Sequence, residues 1–307
     1  MNQDKSPKKS ACLGRYLIDI PVDSIVRSSF KFASGILQTK QNLSQSDFQR
    51  TIEKREIELK KNLHKKAGNM FVARTELAPN KILIQSLDSS VSTTIHRNET
   101  FVYLPENESL YTQTDSSDAE SQLNSVAVAR RVADLFKYRS TDEIPSGVGF
   151  CINNGLIASK ALNREEVSAS IDFKKYPTIS FSINSLVTGS PTEGLISRTD
   201  RALANEPAAL LATLTILRKG QRNLGPVQAE EILIRATENG KRTYAFSWKS
   251  EGKADSIEFP SIAIKLSTGD KTDANGEAAD APFKTDKEAL EFWDGLLNTL
   301  RLRPGAV

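Results

Sequence analysis

The sequence predicts an α+β protein of two domains, each a mainly antiparallel sheet with a few long helices. Three observations predict it. Short runs of period-two alternation, broken by Gly, Asn or Pro, fill most of the chain. Only a few stretches change to the period of an amphipathic helix. Strands and helices also come in runs instead of alternating one by one, which disfavours a parallel doubly wound sheet. The 307 residues are about twice the usual single-domain size, which sets the two-domain expectation.

Residues 1–11 are polar, carry Pro7, and read as a disordered lead-in. An N-terminal domain is expected over 12–140. Tyr16, Ile18 and Ile20 alternate with Leu17 and Asp19 until Pro21 stops the run, which makes a strand. Val26 to Ile36 continues as a second extended segment. The period then changes. After N-cap choices in Ser44–Asp47, Phe48, Ile52, Leu59 and Leu63 fall on one helical stripe. Arg50, Glu53, Lys54, Arg55, Glu58, Lys60 and Lys61 make its solvated face. Met70, Val72 and Arg74 alternate with Phe71 and Ala73, and short strands follow at Ile82–Leu87, Thr93–His96 and Phe101–Leu104. A second helix is expected over Ser121–Tyr138, with Leu123, Val126, Ala133 and Phe136 inward.

Thr141–Gly147, polar and holding Pro145, is the expected domain boundary. A C-terminal domain over 147–304 begins with Phe150–Ser159, whose Asn154-Gly155 is a hairpin signal. Val167–Phe173 alternates without a break, and Ile179, Phe181 and Ile183 alternate with serines. Leu214 and Ile216 start another strand. Glu231–Ala236 leads to Asn239-Gly240, and the return arm puts Tyr244, Phe246 and Trp248 on one buried face. Ile262, Ile264 and Leu266 supply the next strand. The last helix, Asp286–Leu300, stacks Leu290, Trp293, Leu297 and Leu300, with Leu296 alongside.

The chemistry such a chain can perform is narrowed by what it lacks. Two His and two Cys nearly exclude a multi-ligand His/Cys metal site and leave little for His-based acid–base work. A formal charge of +3 is too small to argue for nucleic acid. The longest nearly apolar run, Ala208–Leu217, is too short to cross a bilayer. Gly189–Gly194 fails the spacing of a nucleophile elbow, and Glu238–Thr243 has one Gly where a phosphate loop needs more. Gly269–Glu277 has misplaced oxygen donors for a calcium loop and reads as an ordinary loop.

Glu165-Glu166 and Glu230-Glu231 are adjacent pairs, so in a strand each pair splits between opposite faces. His64, among Lys60, Lys61, Lys65 and Lys66, reads as a surface helix position, and His96 ends a polar strand beside Arg97. Tyr244, Phe246 and Trp248 read as a core face, not a base-stacking platform. No catalytic, cofactor-binding or metal residue is assigned. Cys12 and Cys151 fit either two buried small hydrophobes or a bridge. No export signal is visible, which leaves a cytoplasmic protein and a mature exported chain both open.

Several stretches, taken together, carry a resemblance. Cys12–Pro21 reads as an opening strand and Gly149–Ile157 as the opening of a second domain. Leu217–Gly220, with Gly225 and Glu230-Glu231, forms a central strand-and-turn block. Phe246–Trp248, Leu266–Gly269 and Trp293-Asp294 through Leu300–Pro304 complete the set. In order and spacing this resembles the immunity proteins that protect bacteria from type VI secretion lipase effectors. The resemblance spans 12–304 and is weakest between about 85 and 120.

The resemblance implies a two-domain α+β protein in a claw-like arrangement, with no catalytic activity and no cofactor. It implies a phospholipase effector as the partner, in a 1:1 complex, with no nucleic acid, membrane span or small-molecule substrate. The implied mechanism is a lipase lid held closed over its active site. The implied compartment is the periplasm, ahead of the cytoplasm. In that oxidising setting the resemblance also implies a Cys12–Cys151 disulfide.

The matching motifs are structural, so partner specificity is expected on variable loops. The candidates are Glu193, Arg198, Asp200 and Arg201 within Thr188–Glu206, and the hairpin tip Asn153 and Asn154. A different class remains open: a non-catalytic periplasmic adaptor or chaperone that loads an effector without inhibiting it. A third reading, an enzyme with an unrecognised carboxylate site, requires a perturbed acid pair in a concave pocket.

Overall fold

The computed structural model describes residues 7–238, 240–269 and 282–307. Strand β1 (Lys8–Leu13) pairs antiparallel with β2 (Tyr16–Pro21), from Lys8↔Pro21 to Leu13↔Tyr16. Their turn uses Gly14 at φ 60°, a region glycine enters without a Cβ penalty. The expected disordered lead-in is therefore too long: main-chain pairing with β2 orders Lys8 to Ala11 despite their polarity, while residues 1–6 lie outside the described residues. Val26 to Ile36 is likewise not one segment but two strands, β3 (Ile25–Phe32) and β4 (Gly35–Lys40). Ala33 and Ser34 turn between them at φ 49° and 66°. Neither residue type announces a left-handed turn.

Two compact units result: residues up to Ser29 with Leu162–Val307, and Phe30–Ala161. In the Phe30–Ala161 unit, helix α1 (Gln45–Lys61) opens with a reciprocal capping box. The Asp47 N–H donates to Ser44 Oγ at 3.2 Å, and the Ser44 N–H donates to Asp47 Oδ2 at 3.1 Å. Phe48, Ile52 and Leu59 on its buried stripe pack against Ile82, Ile84, Phe101, Tyr103 and Leu110. Phe48 stacks on Tyr103 with ring centroids 5.3 Å apart.

The helix stops at Lys61, which reverses two expectations. Strand β5 (Leu63–His64) pairs with β6 (Gly68–Asn69), and in a strand neighbours face opposite ways. Leu63 is 82% exposed and His64 only 3%.

The remaining strands of this unit are β7 (Phe71–Ala78), β8 (Lys81–Leu87), β9 (Ile95–Leu104) and β10 (Ser109–Asp118). With the end of β3 they form the antiparallel order β3-β4-β10-β9-β8-β7. Thr93–His96 and Phe101–Leu104 thus belong to one strand, from Ile95 onward. The buried Asn98 in its middle finds partners on the flanking strands β8 and β10, and helix α2 (Gln122–Ala133) adds Ser125 to the same network through Gln85 of β8. Gln85 Nε2 donates to Asn98 Oδ1 at 3.1 Å and to Ser125 Oγ at 2.8 Å, and Asn98 Nδ2 donates to Asp115 Oδ1 at 2.8 Å. Helix α2 ends at Ala133, short of Tyr138. Phe136–Tyr138 is β11, in a small sheet with β12 (Phe150–Ile152) and β13 (Gly155–Ile157) in the order β11-β13-β12. The side chain of Leu123 lies outside the described residues.

The other unit adds β14 (Glu166–Phe173), β15 (Tyr176–Leu186), α3 (Leu195–Leu203), α4 (Ala208–Leu211) and β16 (Leu214–Gln221). Strands β17 (Glu230–Glu238), β18 (Lys241–Ser250) and β19 (Ser261–Thr268) follow, then α5 (Asp286–Leu297) and β20 (Arg301–Leu302). Its sheet runs β16-β17-β18-β19-β15-β14. Tyr244, Phe246 and Trp248 are buried, as their spacing requires. Helix α5 presses Trp293 onto them, 5.9 Å and edge-on to Phe246 and 6.3 Å from Phe181.

This helix also ends early, at Leu297, though Leu300 remains buried. The β1–β2 hairpin is completed by β20, with Tyr16↔Leu302 and Leu17↔Arg301. The units consequently depart from the linear cut of 12–140 and 147–304. Asn239 of the expected hairpin turn, and the expected loop beyond Gly269, lie outside the described residues.

Candidate partner interface

Helix α3 is an amphipathic segment that the sequence disguised as a polar loop. Leu195 is buried and Ile196, Thr199 and Leu203 are half-buried, which is helical spacing for one inward face. Its N-cap, Gly194, has no side chain to accept a bond. Glu230 of β17 takes that role: its Oε2 accepts the Ile196 N–H at 2.8 Å and sets a negative charge at the helix start.

The residues expected to meet a partner ride on the outer face of this segment. Glu193, Arg198, Asp200 and Arg201 are all exposed. Arg201 Nη2 lies 2.8 Å from Glu193 Oε1, and Lys219 Nζ donates to Asp200 Oδ1 at 2.6 Å. Both pairs face water and add little to stability; they present charge in a fixed pattern. The loop beneath is tied down. Lys249 Nζ donates to the Glu193 carbonyl at 2.5 Å, and burial, with Arg198 nearby, holds that ammonium below the usual lysine range.

Sequence reasoning did not select the surface that follows. Pro207 starts the short helix α4, where every residue is exposed, Leu210 at 45% and Leu211 at 38%. Ile216, on β16, is 49% exposed. The signal was the apolar run Ala208–Leu217, which lacks a single helical or strand period and so cannot bury all its side chains. Strand β16 is also terminal in its unit's sheet order and is broken by a bulge between Ile216 and Arg218. A bulge and nearby basic side chains discourage indiscriminate edge pairing. Exposed leucines and an isoleucine, in a stretch of chain next to paired charges, make a candidate protein-binding surface.

Below this surface an ion network fastens α5 to the sheet. Glu231, 1% exposed, accepts from Arg218 Nη1 at 3.0 Å, Arg222 Nη1 at 2.6 Å and Trp293 Nε1 at 2.7 Å. Asp294 accepts from the same two arginines at 2.9 Å and 2.6 Å. Burial pushes the Asp294 carboxyl up, but the hydrogen bonds and charges of Arg218 and Arg222 outweigh it and hold it below the ordinary carboxylate range. Two guanidinium groups answer two carboxylates, so the cluster holds no spare acid or base.

Asn153 and Asn154 form the tight turn between β12 and β13, with Asn154 at φ 51°, and are half-buried. Tyr111 Oη donates to their carbonyls at 3.0 Å and 2.8 Å, and Asn107 Nδ2 donates to the Asn154 carbonyl at 2.7 Å. Thr141 Oγ1 donates to Asn154 Oδ1. Cys151, on β12, is fully buried, and neither cysteine is a free thiol.

Glu165, singled out with Glu166 as an adjacent acid pair, is buried against Arg15 and spent on structure. A shallow groove of about 230 Å³ on the β14–β15–β19 face is lined by Ser170, Ser180, Ser182 and Ser267 with Lys265. Among the described residues, no group of three or more His, Cys, Asp or Glu is placed to hold a metal ion, and no helix is long and apolar enough to cross a membrane.

Comparison with known proteins covers both halves of the chain. The family model described as Tle cognate immunity protein 4 N-terminal domain matches residues 9–134, and the one described as its C-terminal domain matches 143–305. No curated protein matches the chain. Among solved structures, a chain of the Tle4–Tli4 complex is 27% identical with a TM-score of 0.91, and each chain is covered in full. The apo immunity protein TplEi of the type VI secretion system from Pseudomonas aeruginosa is 26% identical with a TM-score of 0.90, covering 99% of this chain and all of that one. The same immunity protein complexed with an "L" peptide is 25% identical with a TM-score of 0.84, covering 98% of this chain and all of that one.

Proposed function

Because the chain belongs to the Tle cognate immunity protein 4 family, we propose that it binds a phospholipase effector of the type VI secretion system and inhibits it in a 1:1 complex. The observation that carries this reading is likeness over the whole length, in both halves, to a chain of a Tle4–Tli4 complex. The chain acts by occlusion, not by chemistry. It holds the lipase lid over the active site and makes or breaks no bond itself.

A clamp of this kind must prefer the closed lipase, because equal affinity for both states shifts nothing. It also needs a standard-sized interface with a few desolvated anchors. Leu210, Leu211 and Ile216 supply such anchors, and Glu193, Arg198, Asp200 and Arg201 supply a charged rim that sets partner choice. The Asn153–Asn154 turn, already stiffened by Tyr111 and Asn107, offers a preordered second contact. The compartment is the periplasm, where the lipase meets its phospholipid and where Cys12 and Cys151 join in a disulfide.

The experiment is fatty-acid release from phospholipid vesicles by the purified cognate lipase, titrated with this protein. Inhibition should be complete at equimolar protein. Binding that leaves turnover undiminished would replace the inhibitor with an adaptor.

A further inference from the structure

The tip of the Phe30–Ala161 unit carries a feature that inhibition of a lipase does not call for. Leu63 is 82% exposed, more than any other large hydrophobic residue described, and Val91 is 48% exposed on the adjoining loop. Lys61, Lys65 and Lys66 surround Leu63 in the chain; all three are exposed, and none is in an ion pair among the described residues. Lys61 ends α1 and complements the helix dipole. Lys65 and Lys66 lie beyond the helix and have no such reason to be there.

His64 makes this tip rigid. Its ring is buried, Nδ1 accepts from the N–H groups of Lys66 at 3.1 Å and Ala67 at 2.9 Å, and Nε2 donates to the Ser92 carbonyl at 3.2 Å. That arrangement needs a neutral imidazole with its proton on Nε2. The Lys65 N–H donates to the Ser90 carbonyl at 3.0 Å, which fastens the turn to the loop bearing Val91. Turning His64 inward obliges Leu63 to point out, and the turn projects two lysines beside it. Asp88, at the base of that loop, is the one acid within 61–69 and 88–93.

We infer that the Leu63 tip, with Lys61, Lys65 and Lys66, docks the protein on an anionic lipid surface. A protruding aliphatic side chain inserts among acyl chains, while flexible unpaired ammonium groups meet lipid phosphates without needing fixed geometry. A protein partner would be served better by a broader apolar patch with aromatic anchors, which the tip lacks. Three lysines and one leucine give weak, reversible, salt-sensitive attachment, enough to concentrate the protein at a surface.

The test uses the full chain alone, without any effector, so it stands apart from the proposed inhibition. Co-sedimentation is measured with vesicles of pure phosphatidylcholine and with vesicles in which phosphatidylglycerol replaces a third of it. The wild type should bind the anionic vesicles and not the neutral ones. Raising salt from about 0.1 M to about 0.5 M should release it.

Lys65→Gln/Lys66→Gln should weaken partition about 25-fold, at roughly fivefold per lysine. Leu63→Ser should weaken it at least about tenfold. Circular dichroism should show unchanged folding, since every altered side chain is exposed, and His64 is left in place. Equal binding to both vesicle types, no binding to either, or anionic binding unaffected by both variants would overturn the inference. So would normal vesicle binding by variants that instead lose affinity for the lipase, which would make the tip a protein contact.

Discussion

Arg15 and Glu165, 150 positions apart in the chain, meet at 2.6 Å with side chains only 2% and 3% exposed. Arg15 Nε also donates to Glu165 Oε2 at 2.7 Å, and Nη1 donates to the Ala306 carbonyl. The pair therefore joins the β1–β2 turn, the start of β14 and the chain's last residues. Burial pushes the Glu165 carboxyl above the ordinary glutamate range, against the opposing pull of Arg15.

Removing one partner leaves the other buried and unpaired. Glu165→Ala should destabilise the protein by about 3–5 kcal/mol, whereas Arg15→Met/Glu165→Leu should recover most of that loss. Urea unfolding of both variants measures the difference. With a raised folded pKa, the wild-type contribution of Glu165 is fullest below the unfolded glutamate pKa and declines as pH rises through the folded one.

The Asp294 network has the opposite sign. Its carboxyl is depressed in the folded state, so its contribution is present above the unfolded pKa and is lost as pH falls through the folded value. Asp294→Asn should cost about 1–3 kcal/mol at neutral pH, from weakened bonds to Arg218 and Arg222. Its stability should converge on the wild type as acid protonates Asp294, and thermal melts from pH 7 down to 3 follow that convergence.

Polar replacement of the α4 surface separates binding from folding. Leu210→Ser with Ile216→Ser should leave stability within about 0.5 kcal/mol per site, because both residues are exposed. Affinity for the cognate lipase should fall by at least about tenfold, as loss of an apolar anchor does. Calorimetric titration gives the affinity, and a melt of the same sample gives the stability.

Alkylation followed by intact mass reports on Cys12 and Cys151. Unreduced, unfolded protein should take up no label, and reductant should admit two. Reduction should also lower stability by up to about 4–5 kcal/mol, the entropic limit for a loop of roughly 140 residues.

How far the sequence could be read depended on what each side chain answers to. Tyr244, Phe246 and Trp248 answer to one core, so period-two spacing placed them correctly. Asn154-Gly155 announced its turn, and Asn154 takes the left-handed conformation expected of it. Ala33-Ser34 adopts the same kind of turn through side chains that carry no such preference. Strand β10 and the middle of β9 are hard to read because Asn98 is buried against Gln85 of β8 and Asp115 of β10, a cross-strand arrangement composition cannot foresee. The helix start at Ser44 was legible; its end was not, and that missing turn exchanged Leu63 and His64 between inside and outside. At the candidate interface, Glu193, Arg198, Asp200 and Arg201 are legible in the sequence as an exposed charged stretch, but not as part of a helix. Leu210 and Leu211 of α4 stand in a run whose sequence says only that it is too short for a bilayer.

The pairing of Tyr16 with Leu302 and Leu17 with Arg301 orders events on the ribosome. Residues 30–161 can collapse while translation continues, since all their partners within that unit are already made. Strand β1 meets β2 at once, but the other edge of β2 waits until Arg301 and Leu302 emerge. A nascent chain, or one cut short before Arg301, thus carries an open β2 edge until β20 is made and covers it.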